Sequence, residues 1–416
     1  MATTATTDVS YISKVIYKDG IQQKQIVRNK PLLTATKHNT KFTSAEGIKV
    51  PILYGTGQGA SATVANAATN ASPDVGAAFT VTQASYYVNF DIAGRVVRNA
   101  LKGDNDSYFL QQLKLAMDNC QETMGVELNR QAFGSASGWR AKAHASTAPT
   151  ATTLTLANPQ DAVFFEPNMV IVAAATATGS IRTGTPGYAT VTAVNTSTGV
   201  LTFATDLTVK IGSIGVGDYI FRQGDAQNNA SAGVIAAGLN DWNPNATDLA
   251  ANATLFGVTR TAYPSRLAGV RYDGSNDPIE TLFLKAMATG MAEVGPGFQM
   301  GDIFVNPINF AAIQASKEGG RWITEPSSYG IGIDKFQIGS FKFVQDAMCP
   351  VNRAKVVNDG AFERASCGDA PYWNNFDGAD MWLDRTTDVY KGQLVHDGNF
   401  IAPKVQQLMD VTLPAA

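Results

Sequence analysis

The chain has 416 residues, of which 44% are hydrophobic and only 16% charged, with a net charge of −3. That length allows two or three domains and a sizeable core, while the charge balance excludes a protein whose whole surface attracts nucleic acid or anionic membrane. A charge content well below the roughly 25% of an average soluble domain favours an oligomer, whose polar surface is set against other chains. Cys120, Cys349 and Cys367 are too few and too scattered for a disulfide framework or a zinc site, and read as reduced thiols in a cytoplasmic compartment. The N-terminus, "MATTATTDVS", has no basic region followed by an apolar run, so no secretory signal is expected. The longest apolar stretch, "MVIVAAATA", falls far short of the roughly 20 residues that cross a bilayer.

Residues 1–44 read as an extended arm, with Pro31 opposing helix in "VRNKPLLTATKHNT". Residues 1–50 carry Lys14, Lys18, Lys24, Arg28, Lys30, Lys37, Lys41 and Lys49 against Asp8, Asp19 and Glu46, a basic excess suited to an acidic neighbouring surface. "IKVPILY" at 48–54 is a short strand, and "FTVTQASYYVNFDIAGRVV" is its return. The small residues between them give a long hairpin with nothing large to bury at its tip. A helix follows over Ser107–Phe133, capped by Asp104, Asp106 or Ser107 and stopped at Gly134. Leu110, Leu113, Met117, Cys120, Met124 and Leu128 form one face, with Gln111, Lys114, Asp118, Gln121, Glu122 and Asn129 between them. Gly125, unfavourable inside a helix, implies a close packing contact.

Sixteen threonines between Thr147 and Thr208 mark a change of character, with short alternating runs and turns such as Thr198-Gly199. They predict an all-β module, barrel or sandwich, inserted between the helix and the rest of the body. Helix resumes in "DPIETLFLKAMATGMAEVG", with Asp277 as cap, Glu280 completing a capping box, and a stripe of Ile279, Leu282, Phe283, Ala286, Met287 and Met291. "GDIFVNP" is a strand, and "PINFAAIQASKEGG" a helix capped by Asn306 and closed by Gly319. "DKFQIGSFKFVQD" is a hairpin turning on Gly339-Ser340, and "AKVVND" and "VYKGQLVHDGNFIAPKVQQLMDV" supply further strands of an α+β body.

Four constellations could carry chemistry. Gly55-Thr-Gly57-Gln-Gly59-Ala60 mimics a dinucleotide loop, but "SATVANAATNASPDVG" offers no apolar face for the helix that would hold a pyrophosphate. His38, His144 and His396 each stand alone without ligand partners at metal-binding spacing. "GSASG" at 134–138 has Ala136 where a nucleophile elbow needs serine, and reads as a helix stop and flexible joint. Asp359, Glu363, Asp369, Asp377, Asp380 and Asp384 are spread through turns rather than paired for acid–base work. No catalytic, cofactor-binding or metal site is expected.

The order of parts carries the functional reading. "VRNKPLLTATKHNTKFTSAEGIKVPILYGTGQGASAT", "ASYYVNFDIAGRVVRNALKGDNDSYFLQQLKLAMDNCQETMGVELNRQAFG", "LFGVTRTAYPSRLAGVRYDGSNDPIETLFLKAM" and "GDIFVNPINFAAIQASKEGG" occur in succession. In that order the chain resembles the major capsid proteins of tailed bacteriophages, which adopt the Hong Kong 97 capsid fold. The resemblance implies an N-terminal arm (1–44), an extended loop and return strand (45–100), a spine helix of the peripheral domain (101–140), an inserted Thr-rich β domain (141–228), and the remaining peripheral and axial domains (229–416). It implies hexamers and pentamers of one chain tiling an icosahedral shell around double-stranded DNA, without sequence-specific DNA binding, membrane or cofactor. The extended loop would lie across a neighbour, and loops near 318–335 would meet at the capsomer axis. Separate scaffolding, portal and decoration proteins are the expected partners, because no long helical segment precedes the arm. Interface residues on this reading are Lys24, Arg28, Lys30, Lys37, Tyr54, Gly57, Phe79, Arg95, Arg98 and Arg321. The alternatives are an encapsulin-like compartment shell, whose usual compact form lacks such a β insert, and a β-rich tail or decoration component, which would be β throughout.

Overall fold

The computed structural model describes residues 30–40, 42, 47–95, 97–98, 106–230, 233–316, 323–325, 335–338, 341–375 and 381–414. Its first segment corrects an expectation. Pro31 opens a short helix, α1 (Pro31–Ala35), rather than opposing one, since proline's missing N–H falls where a helix has no internal acceptor. Leu32 and, beyond strand β1 (Lys37–Asn39), Phe42 are buried, so the end of the arm belongs to the core.

Strands β2 (Ile48–Gly55) and β3 (Val75–Val81) form a two-stranded ribbon, in register from Ile48↔Val81 to Leu53↔Gly76. Alternation places Val50, Ile52, Phe79 and Val81 inward at the ribbon's base, where they meet Trp242, Val258 and Leu267. Pro51 is tolerated because a two-stranded ribbon has open edges. The tip contains a helix, α2 (Val64–Asn70), that buries nothing. The expected single return strand is two strands. Asn399 Nδ2 holds the carbonyl of Thr82 at 2.8 Å, the chain turns, and β4 (Ala84–Ala93) enters a different sheet.

The long helix α3 (Asp106–Phe133) has 28 residues, about 42 Å at 1.5 Å per residue. Cys120, Met124 and Leu128 pack against Tyr86, Val88 and Leu394, as the stripe predicts. The last turns are buried all round. Asn129, assigned to the polar face, is fully enclosed, as are Glu127, Arg130 and Gln131. Beyond α3 come β5 (Trp139–Lys142), β6 (Thr153–Thr155), β7 (Val170–Ala174), β8 (Ala189–Asn195), β9 (Val200–Phe203) and β10 (Tyr219–Arg222). They form one antiparallel sheet in the order β5-β10-β7-β8-β9-β6. The bridge Ala143↔Leu156 joins its first and last strands and closes it into a barrel. Leu154, Ile171, Val191, Leu201, Phe203 and Ile220 fill the interior.

The main elements that follow are β11 (Val270–Asp273), α4 (Ile279–Val294), β12 (Asp302–Val305), α5 (Pro307–Ala315), β13 (Ile323–Glu325), β14 (Lys335–Ile338), β15 (Phe341–Gln345), β16 (Arg353–Val357), β17 (Glu363–Ser366), β18 (Val389–Ile401) and β19 (Leu408–Thr412). A seven-stranded sheet runs β11-β19-β16-β12-β15-β14-β13, and α4 and α5 cover it with Leu282, Phe283, Ala286, Phe310 and Ile313. Met291, assigned to the buried stripe, is 38% exposed. Asp277 does not cap α4. Its carboxylate accepts from Tyr272 Oη and Lys285 Nζ, both at 2.5 Å. Asn306 does cap α5, accepting from Ile308 N at 3.1 Å; Gly319 and the turn at Gly339-Ser340 lie outside the described residues. In the other large sheet β18 pairs with β4 from Val389↔Ala93 to Gly398↔Ala84, then with β17, whose far edge takes β1 in parallel.

Candidate functional site

Four features give the molecule its reach and its joints: the ribbon, the arm root, the junction between α3 and the barrel, and a cleft beside it. The ribbon is braced at the waist by Arg266, whose Nη1 donates to the Tyr54 carbonyl at 2.7 Å while the guanidinium stacks on Tyr263. Its tip is closed by its own polar groups. Gly57 N donates to Asp74 Oδ1 at 2.7 Å and Gln58 N to Ser72 Oγ at 3.0 Å. A side chain at Gly57 would meet the Ser72 carbonyl at 2.5 Å. This self-contained turn occupies the glycine-rich run that resembled a dinucleotide loop. Leu53, Val64 and Val75 stand exposed along the projecting part.

At the arm root, Lys30 lies across α3, its Nζ 2.6 Å from Glu122 Oε2. Gly125 makes room for it, because a Cβ there would sit 2.8 Å from Lys30 Cε. This is the close contact the helix glycine predicted. Next to it, Leu33 N donates to Asn129 Oδ1 at 3.0 Å, and Asn129 Nδ2 donates to both Asp346 oxygens at 3.1 and 3.0 Å. Burial pushes the Asp346 carboxyl up to about 6, against the hydrogen bonds it accepts.

Where α3 meets the barrel, five charged side chains form one hub. Arg140 donates to Glu127 at 2.8 Å, to Asp225 at 3.1 Å and to the Phe164 carbonyl at 3.1 Å. Arg130 donates to Glu127 at 3.0 Å, and Arg222 reaches Tyr86 Oη at 3.3 Å, tying strand β4 to the barrel. Burial by itself would raise the Glu127 carboxyl, but Arg140 and Arg130 outweigh it and hold it far below the carboxylate range. Sequence reasoning missed this hub. Its one visible trace was Glu127 and Arg130 three apart in a chain poor in charge.

A cleft of about 710 Å³ separates barrel from body and is lined by Trp139, Lys142, Asp161, Tyr219, Asp241 and Arg260. Lys142 Nζ sits 4.4 Å from the centre of the Tyr219 ring. Burial lifts Asp161 to about 7 despite the Asn158 amide. The joint "GSASG", expected to be loose, is tied down: Ser135 Oγ and Ala136 N both donate to Asp241, at 2.8 and 2.6 Å. Those two bonds fix Asp241 against the joint.

Of the residues assigned to interfaces, Lys37, Gly57, Arg95 and Arg98 are exposed and Tyr54 is half-buried. Arg98 forms a two-pronged pair with Asp388 at 2.7 and 2.5 Å. Phe79 is fully buried against Trp242, ring centres 5.2 Å apart, and has no surface to offer a partner. Lys24, Arg28 and Arg321 lie outside the described residues. His144 Nδ1 accepts from the backbone of Ser146 and Thr147 in a turn. Asp384 pairs with Lys391 at 2.8 Å. Among the described residues no group of three or more His, Cys, Asp or Glu is arranged to hold a metal ion, and no helix is long and apolar enough to cross a membrane.

No protein-family model matches the sequence, and no curated protein is significantly similar to it. Solved structures are similar. A chain of the capsid asymmetric unit of cyanophage A-1(L) superposes with a TM-score of 0.56 at 11% identity, covering 99% of this chain and 100% of that one. The capsid asymmetric unit of cyanophage Pam1 gives 0.45 at 11% identity, covering 100% of both chains. The SrpI encapsulin of Synechococcus elongatus PCC 7942 gives 0.45 at 8% identity, covering 98% of this chain and 95% of that one. The first likeness extends over nearly the whole of both chains, and this chain shares the fold of that cyanophage capsid chain.

Proposed function

We propose that this chain is the major capsid protein of a tailed bacteriophage, assembling as hexamers and pentamers into the icosahedral shell that encloses the double-stranded DNA genome. The observation that carries the reading is the full-length likeness to the cyanophage A-1(L) capsid chain. The projecting ribbon supports it. A structure that is fastened at its base and buries nothing at its tip gains stability when another surface covers Leu53, Val64 and Val75. Many such weak contacts, repeated through arms and ribbons, hold a shell by avidity. The fold divides on this reading into arm, extended loop, spine helix, inserted barrel, and peripheral and axial parts. The genome needs no basic lining, since a shell that bound DNA tightly could not release it. Scaffolding, portal and decoration proteins would be separate chains.

Expression of the chain alone, followed by sizing and negative-stain electron microscopy, tests the proposal. Closed shells or six- and five-fold capsomers are expected, directly or after adding a candidate scaffolding protein. A chain that stays monomeric at high concentration under both conditions refutes it.

A further inference from the structure

Strand β1 lies at the outer edge of its sheet and is three residues long, with His38 opposite Arg364. His38 Nε2 sits 2.5 Å from Ser366 Oγ, and the serine hydroxyl donates to the Gly368 carbonyl at 2.8 Å, so the ring nitrogen supplies the proton in this contact. One strand further in, His396 of β18 is 1% exposed and its Nε2 has no hydrogen-bond partner. The registers Ser366↔Gly398 and Arg364↔Phe400 put His38, Arg364, Ser366 and His396 on one face of the sheet, because side chains alternate along a strand.

The charges around this cluster are one-sided. Arg364 is partly buried and, among the described residues, makes no ion pair. Asp397 is engaged by Ser85 Oγ and Tyr372 Oη, each at 2.5 Å. Asp369, exposed nearby, acts on His38 in the opposite sense to Arg364, Tyr86 is the register partner of His396 on β4, and α3 presents Cys120, Met124 and Leu128 to the sheet. Burial, then Arg364, pulls His396 down to about 4, with Asp397 opposing and His38 adding to the fall. Burial and Arg364 lower His38 as well.

We propose that His38, His396 and Arg364 form a proton-operated clasp, in which protonation of the two imidazoles beside the guanidinium releases strand β1 and loosens the root of the projecting ribbon. The neutral cluster packs; two added charges next to Arg364 repel it and each other, and the carboxylate that opposes this at His38, Asp369, is exposed and screened by solvent. Downstream β1 leads through Phe42 into β2, so its release unlocks the first strand of the ribbon. Upstream, α1 keeps its hold on α3 through Asn129 and Asp346.

Hydrogen exchange of the full chain between pH 7.5 and 4.5, corrected for intrinsic rates, tests the clasp. Protection over residues 36–42 should fall by more than tenfold per pH unit below roughly 6.5, towards the roughly hundredfold slope of two linked protons, while barrel residues 189–203 keep theirs. His396→Phe should cut the response to at most the roughly tenfold slope of one linked proton. If that variant does not fold, His38→Gln, altered at a partly exposed position, should weaken it. A wild-type protection that is flat with pH, a barrel that loses protection in the same step, or variants that keep the wild-type response would each overturn the proposal.

Discussion

Replacing Arg140 by Met tests how the barrel is fastened to the long helix. The Arg140 side chain is 1% exposed and pairs with Glu127 and Asp225, themselves 8% and 9% exposed. Its loss leaves two buried carboxylates to share Arg130, with Arg222 no nearer to Glu127 than 3.7 Å and 37% exposed. Breaking a buried pair by removing one partner costs about 3–5 kcal/mol, because the survivor keeps its desolvation penalty. That is a large fraction of the roughly 5–15 kcal/mol that holds a typical domain. The barrel has its own core, so the loss should fall on the junction and separate barrel from body unfolding in urea, a departure from two-state behaviour. Protease cleavage at 134–138 should appear before cleavage inside the barrel. A second variant, Glu127→Met with Arg140→Met, leaves Arg130 facing Asp225 and should recover at least half of the loss. A single variant within about 1 kcal/mol of the parent, or a double variant no better than the single, would refute the account. The hub also sets a pH sign. The depressed Glu127 carboxyl contributes fully above its ordinary 4.5, and that contribution drains away as pH falls further.

Phe79→Ala should lower stability by about 3–5 kcal/mol in denaturant unfolding of the monomer, as for a ring lost from a core; a loss below about 1 kcal/mol would return Phe79 to an interface role. Replacing residues 56–74 by Asn-Gly should leave the circular dichroism of the body unchanged and abolish shells under electron microscopy, and intact shells would remove the ribbon tip from assembly. Deleting residues 2–29 should likewise block shells while keeping the monomer folded, since α1 retains its bonds to Asn129 and Asp346; normal shells would refute the arm's role. Gly125→Leu should destabilise by about 1–2 kcal/mol despite better helix propensity, by displacing Lys30; a gain in thermal stability would show that Lys30 yields freely.

What the sequence disclosed follows from how far each signal travels along the chain. The stripe of Cys120, Met124 and Leu128, the strand pattern of "IKVPILY" and the turns of the Thr-rich stretch are local, and the structure contains each of them. Gly125 announced a contact but could not name Lys30 as the partner, which lies 92 positions from Glu122 in the chain. The break between β3 and β4 was hidden because both strands are β-branched and aromatic; what separates them is Asn399 gripping Thr82 across 317 positions. The hub escaped for the same reason, since nothing near Arg140 in the chain foretells Asp225 at its side. Asp277 and Met291 were misassigned by motif rules that treat a helix in isolation. Tyr272 and Lys285 competed for the carboxylate, and the outer face of α4 simply carries an apolar residue.

The closed barrel has a consequence for crowding. An open sheet ends in a row of unpaired N–H and C=O groups that will accept a strand from any neighbour. In a shell, copies of this chain would be held side by side at a fixed spacing, so an open sheet on each would meet its twin continuously. The bridge Ala143↔Leu156 uses up that row within each copy. On the proposed shell, the barrel would add bulk without adding a site for indiscriminate strand exchange.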